Sequence, residues 1–413
     1  MPHRLCPRVL RLAALSLLVA AAGACSDDDD AGPSDSAVPG DGAAADSAGM
    51  ISDSGSATDA GVDVLAAEVT RLAAPLVDVT GGDPARAVGV AVVVVSEAGT
   101  RVFGFGAPRV GETAPPDGAT GFPLGSVSKV FTGLLLASAI EASGGTVTPD
   151  DPVNAHLAAD IRAPALGGVA ITLEHLVSHY GALPDFPDNM TGPRFSPAAD
   201  YSREQLATFL SGLVLERAPG SAYAYSNLGS GLLGVALADS AGYADYDTLL
   251  RGELTGALGM ADTGTRVPEF VSRMGDRLVQ PYRVDAASLV AVDISDMGVL
   301  AGGGEVISTG DDMALFLRAL TGLDTFPVAG AVDRALTPVG PGAGVSRVAY
   351  ALDMVTRPDG VVLFEKAGLT AGTTSLISLR RDPGVGVAVL SNRGGHVEVQ
   401  GVARSLVRFV EDL

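Results

Sequence analysis

The chain is poor in cysteine, in lysine and in positive charge altogether. Cys6 and Cys25 are its two cysteines among 413 residues, and both fall inside or at the edge of a leader, so no disulfide framework holds the mature fold. Stability has to come from buried apolar surface, and 47% hydrophobic residues supply enough for a sizeable core. Lysine and arginine number 27 against 48 aspartates and glutamates, a formal net charge of −21. Such a surface repels phosphate, which excludes nucleic acid as a partner. Long hydrophobic runs are missing too. The apolar stretch at residues 12–22 is about eleven residues, short of the ~20 that cross a bilayer. No Gly-x-Ser-x-Gly occurs, which removes the standard nucleophile turn of an α/β-hydrolase.

What is present begins with that stretch. Arg4, Arg8 and Arg11 precede it and Ala22-Gly23-Ala24 follow it, so residues 1–24 are expected to be a secretory signal and the body to be exported, to the periplasm or the cell surface. Cleavage ahead of Cys25 suits a lipoprotein, whose lipid on that cysteine attaches it to a membrane. The same small residues also fit an ordinary cleavage site, and both alternatives stay open. Residues 25–60 are rich in Asp, Ala, Gly and Ser, with four aspartates in a row at 27–30, and are expected to form a solvated tether. The aspartate run lacks the ligand spacing and turn glycine of a calcium loop.

The folded domain is expected over residues 61–413. Residues 64–77 have helical apolar spacing, and 87–95 and 101–105 read as strands. A long, mostly helical stretch follows. Residues 348–355, 361–365, 374–379 and 385–390 are four β-rich runs separated by turn signals, and 397–413 closes as an amphipathic helix. Strands at both ends of a helical middle imply an α+β fold: one antiparallel sheet, flanked by N- and C-terminal helices, with a mostly helical domain inserted. The α/β part covers about 61–125 and 295–413 and the helical part about 126–294.

The two lysines, Lys129 and Lys366, stand out against arginine everywhere else. An amine is needed where a group must shed a proton or act as a compact point charge, because guanidinium stays protonated. Ser126-Val127-Ser128-Lys129 opens an apolar helix, and residues three apart share a helical face, so Ser126 and Lys129 can touch in the positive field of the helix N-terminus. A partly desolvated lysine there has a lowered pKa, and its amine can take the serine proton during attack on a carbonyl. In Tyr225-Ser226-Asn227 the phenol could relay a proton and the amide hold a substrate carbonyl. Lys366-Ala367-Gly368 ends the strand at 361–365, where an edge strand can bring backbone donors and positive charge against an acyl group. Each triplet alone is a weak signal, more often a cap, a turn or a surface lysine.

Taken in order, Ser126-x-x-Lys129, Tyr225-x-Asn227 and Lys366-x-Gly368 resemble the penicillin-recognising serine hydrolases, the group joining class C β-lactamases, D-alanyl-D-alanine carboxypeptidases and related esterases. His175 through Leu183-Pro184-Asp185, Leu258-Gly259-Met260, and Gly302-Gly303-Gly304 before Ser308-Thr309 resemble further segments of that group. The resemblance implies a β-lactamase/transpeptidase-like fold and an acyl-enzyme on Ser126. Lys129 would be its base, Tyr225 the catalytic phenol, and Asn227, Lys366 and Gly368 would bind substrate. The backbone N–H groups of Ser126 and Leu369 would form the oxyanion hole. It implies no metal, cofactor or protein partner. The substrate would be a small ester or amide, such as a D-alanyl peptide of peptidoglycan or a β-lactam. An esterase without penicillin recognition and a non-catalytic anchored binding protein are the alternatives. Three departures stand out: Ala367 where the lactamases carry threonine, Tyr180-Gly181-Ala182 after His179, and Glu305 in an otherwise apolar stretch.

Two decoys remain. Gly229-Ser230-Gly231-Leu232-Leu233-Gly234 satisfies G-x-G-x-x-G but lies among small apolar residues that suit a tightly packed helix better than a dinucleotide site. His175 and His179 have zinc-helix spacing, yet Leu176 stands where the glutamate belongs.

Overall fold

The computed structural model describes residues 63–342, 344 and 347–413; the expected signal, Cys25 and the tether lie outside the described residues. Helix α1 (Val64–Ala73) starts at Asp63, whose carboxylate accepts the Ala66 N–H and so satisfies a helix-end donor. Strands β1 (Gly89–Ser96) and β2 (Gly99–Gly106) form a hairpin across Glu97-Ala98. The chain then leaves the sheet for a mostly helical excursion that includes α2 (Ser128–Ala142), α3 (Asn227–Ala241) and α4 (Gly310–Thr321). It returns as β3 (Arg347–Val348), β4 (Asp353–Thr356), β5 (Val362–Leu369), β6 (Thr374–Arg380) and β7 (Val385–Ser391), and ends in α5 (Glu398–Glu411). The sheet order is β2-β1-β7-β6-β5-β4-β3, antiparallel throughout, with Val90 opposite Ser391 where the two ends of the chain meet.

The run of valines in β1 carries no polar alternation because the sheet is covered on both faces. Val90, Val92 and Val94 pack with Val69 and Ala73 of α1 and with Val402, Leu406 and Val407 of α5. Ala91, Val93 and Val95 belong to the larger core with Phe316, Leu317 and Leu320 of α4 and with α2 and α3. The latter two helices are apolar nearly all round, the pattern of helices sunk in a core. Phe131 of α2 stacks on Phe316 of α4 with centroids 4.0 Å apart, which ties the serine-bearing helix to the one that backs the sheet.

One expectation from the sequence is corrected here. Residues 348–355 are not a single strand: they break between β3 and β4, with Ala351 at φ 59°. The backbone N–H groups of Tyr350 and Ala351 go to the Ala335 and Val177 carbonyls of the helical region, so this buried apolar stretch satisfies its polar backbone outside the sheet.

A two-stranded ribbon, Gly121–Pro123 against Ile307–Thr309, lies beside the start of α2. Through it, and through the Leu124 N–H donating to the Val306 carbonyl at 2.8 Å, the segment around residue 305 is held against the turn that carries Ser126.

Candidate active site

Ser126 lies in a 3₁₀ turn, Gly125–Val127, that runs directly into α2. Gly125 has φ 53°, and a Cβ there would lie 2.6 Å from the Leu369 nitrogen. Facing it, a Cβ on Gly368 would meet the Leu124 carbonyl oxygen at 2.0 Å, and Ser375 Oγ donates to that same oxygen at 2.6 Å. The two glycines therefore allow β5 to lie against the serine turn. This places the backbone nitrogen of Leu369 beside Gly125, the residue before Ser126, while Gly368 itself serves the close approach of the two segments.

Ser126 Oγ is 3.0 Å from Lys129 Nζ and 2.5 Å from the Tyr225 hydroxyl. Lys129 is fully buried. Its amine also donates to Asn227 Oδ1 at 2.6 Å and to the Gly303 carbonyl. A neutral amine has two N–H groups and one lone pair; with the amide oxygen and the carbonyl taking the two hydrogens, the lone pair is left for the serine hydroxyl. Burial, reinforced by the charge of Lys366, holds the Lys129 pKa well below its usual value. Tyr225 is shifted the opposite way. Burial pushes its phenol up, against the pull of the Ser126 hydrogen bond, so the phenol is a proton carrier at neutral pH. The two lysines flank its ring, Lys129 Nζ at 4.9 Å and Lys366 Nζ at 5.2 Å from the centroid.

Lys366 lies within β5 rather than past the end of a strand, a correction to the sequence expectation. β4 pairs with β5 from Val362 to Glu365 and stops there, so the half of β5 from Lys366 to Leu369 has one unpaired side. The edge expected from the sequence is present, but it begins in the middle of a strand.

Sequence reasoning left three contributors without a role. Asp185 Oδ1 accepts both the Asn227 side-chain amide at 2.8 Å and the Asn227 backbone N–H at 3.1 Å, which turns the amide oxygen toward Lys129. The Gly303 carbonyl is the second acceptor for that amine. His179, buried and with its pKa pushed well below the usual value by burial and by the two lysines, packs its ring 4.5 Å from that of Tyr225. It accepts the Ser226 N–H at Nδ1, 3.3 Å away. Asp185 was legible as part of a motif, but its function depends on a contact 42 positions along the chain.

The decoys have structural explanations. The helix carrying His175 ends at Val177, and His179 sits beyond it at φ 64°, so the pair does not share a helical face. The glycines of the G-x-G-x-x-G run lie inside α3. A Cβ at Gly231 would stand 2.7 Å from Leu300 Cβ, and one at Gly234 2.8 Å from the Tyr246 ring, so they serve helix packing. Tyr180, one of the departures, donates to the Pro341 carbonyl at 2.7 Å and faces the Tyr223 ring edge-on.

Comparison with known proteins bears on the family and the fold. A family model described as Beta-lactamase matches residues 69–410. The chain is 31% identical over 256 residues to the D-alanyl-D-alanine-carboxypeptidase/endopeptidase AmpH of Escherichia coli (strain K12), a match covering 61% of this chain and 62%, under two thirds, of that relative. Among solved structures it is similar to a β-lactamase/D-alanine carboxypeptidase from Yersinia pestis complexed with citrate. There the TM-score is 0.68 and the identity 21%, over 84% of this chain and 99% of the other. It is also similar to the D-alanine carboxypeptidase AmpC from Burkholderia cenocepacia, with a TM-score of 0.67 at 23% identity over 86% of this chain and all of the other.

Proposed function

Because the chain belongs to the Beta-lactamase family and has the β-lactamase/transpeptidase-like fold, we propose that it is an exported serine hydrolase that cleaves a small ester or amide through an acyl-enzyme on Ser126. The observation that carries this reading is the placement of the Ser126 hydroxyl, 3.0 Å from a buried amine and 2.5 Å from a buried phenol.

Lys129 takes the Ser126 proton as Oγ attacks the substrate carbonyl carbon. Negative charge develops on the carbonyl oxygen, and the backbone N–H groups of Ser126 and Leu369 receive it. Tyr225 donates its proton to the leaving oxygen or nitrogen as that bond breaks, and is reprotonated by the proton that Lys129 took from the serine. Water then attacks the acyl-enzyme by the reverse route. Asn227, oriented by Asp185, and Lys366 hold the substrate against the serine. The basic-then-apolar leader supports export, with Cys25 the point at which a lipid would attach.

A D-alanyl peptide is the first substrate to test, since the matched relative from Escherichia coli is named for that activity. Ala367, exposed on β5 beside an exposed Leu369, favours a second reading. A methyl where a hydroxyl could bind a substrate carboxylate suits a neutral ester. Intact-mass measurement after incubation with a fluorescent penicillin and, separately, with a p-nitrophenyl ester separates these. An adduct abolished by Ser126→Ala is expected with at least one probe. Penicillin labelling supports the peptidase branch, and ester turnover without it supports the esterase. Neither an adduct nor turnover with either probe would overturn catalysis and leave a binding protein of the same fold.

A further inference from the structure

Glu305 is a departure that the proposed chemistry does not use. It is 8% exposed, and an ionisable group in such a position is costly unless its polar atoms do something. One of them does. Glu305 Oε2 accepts the Met297 backbone N–H at 2.6 Å, bridging the two ends of the turn Gly298–Gly303. Inside that bridge, the Gly304 and Glu305 N–H groups both donate to the Ala301 carbonyl at 3.1 Å. The residues on either side of Glu305 anchor to the serine-bearing segment. The Gly303 carbonyl takes a hydrogen of Lys129, while the Val306 carbonyl accepts the Leu124 N–H and the Val306 N–H donates to Ser128 Oγ at 2.9 Å. Fixing Met297 also fixes what lies beneath Gly303, because a Cβ on that glycine would stand 3.3 Å from Met297 Cε and 2.8 Å from the Asn227 carbonyl.

We propose that Glu305 is a positioning residue for the acyl transfer. By accepting the Met297 N–H it holds the turn so that the Gly303 carbonyl claims one N–H of Lys129 and leaves the amine lone pair on Ser126. The inference rests on the reading of Ser126 and Lys129 as nucleophile and base. The carboxylate acts through the backbone and touches neither the serine nor the amine. Around it stand the charges of Asp296 and Asp247. An acceptor, rather than a negative charge, is what the Met297 N–H requires, so an amide in the same place should do the same work.

The test compares Glu305→Leu, of similar size but without an acceptor, with Glu305→Gln, whose amide oxygen can take the same N–H. Turnover of a p-nitrophenyl ester by the full chain is followed across pH. Glu305→Leu is expected to lower kcat by about 10²-fold, the cost of a misplacement on the order of 1 Å, with KM unchanged. Its acidic limb should move to lower pH, because a carbonyl that no longer meets the amine no longer stabilises the ammonium. Glu305→Gln is expected to stay near wild type in both respects. Wild-type kcat and pH profile in Glu305→Leu would overturn the proposal, as would a loss in Glu305→Gln equal to that in Glu305→Leu. Should the leucine variant not fold, Glu305→Asp, one methylene short of Met297, is read by the same criteria. If the wild type neither acylates nor turns over, the reading of Ser126 fails and this proposal with it; an active wild type matched by Glu305→Leu sinks this proposal alone.

Discussion

Lys129 shows how one position can be read from composition and yet be completed only by its surroundings. It is one of two lysines in the chain, and its spacing from Ser126 puts the two on one helical face. Its lowered pKa comes first from burial and then from Lys366, a residue 237 positions away in a strand. The free amine titrates near 10.4 in an unfolded chain. Between the lowered native value and that one, the unfolded chain holds a proton that the native chain lacks, so stability falls as pH drops through the window. Lys129→Met removes this titration. Its denaturation midpoint in urea should therefore vary less than that of the wild type between pH 10 and pH 7. The same variant should lose about 10²–10⁴-fold in kcat/KM, the usual contribution of a positioned base. In the wild type kcat/KM should rise with pH through the lowered value of the amine, because only the unprotonated form can accept the serine proton.

At the scale of elements, the contact between β5 and the serine turn decides whether the donors of the proposed oxyanion hole converge. Gly368→Ala would drive a methyl against the Leu124 oxygen, 2.0 Å away, and against Ser375 Oγ at 2.4 Å. The first of these is backbone and cannot swing aside. The expected result is a destabilisation of about 1–3 kcal/mol, read by urea titration, and an acylation rate at least tenfold lower, since Leu369 N is carried away from Ser126. The sequence pattern located β5 but ended it at Glu365, because a lysine and a glycine interrupt its apolar alternation. The pairing of Lys366 with Ile377 and of Gly368 with Ser375 continues the ladder regardless. Cross-strand partners override local propensity there, as they usually do in sheets.

For the molecule as a whole, the strand that carries Lys366 is also fastened from behind. Arg404 of α5 reaches through the far face of the sheet to Glu365, with Nη2 to Oε2 at 2.7 Å and Nε to Oε1 at 2.9 Å, and Ser378 Oγ donates to the same carboxylate. Glu365 is almost wholly buried while the Arg404 side chain is 38% exposed. Arg404→Met should therefore cost about 2–3 kcal/mol, less than the 3–5 of a fully buried pair because solvent screens the exposed partner. A urea titration checks this. The loss should appear in global stability with the ester-hydrolysis pH profile unmoved, since Arg404 lies on the face of β5 opposite the serine.

By itself the sequence determined the polar constellation and the class of fold. Ser126 and Lys129 are neighbours on one helical turn, the β-rich runs at both ends of a helical middle imply one sheet, and the closing helix has a single apolar stripe, all of which follow from local patterning. Only the tertiary structure decided which groups complete the site. Asp185 behind Asn227, the Gly303 carbonyl on Lys129 and Glu305 holding Met297 are hydrogen bonds between distant or backbone groups. A backbone carbonyl has no side-chain signature, and a pKa depends on what lies within a few ångströms in space, whatever the distance along the chain.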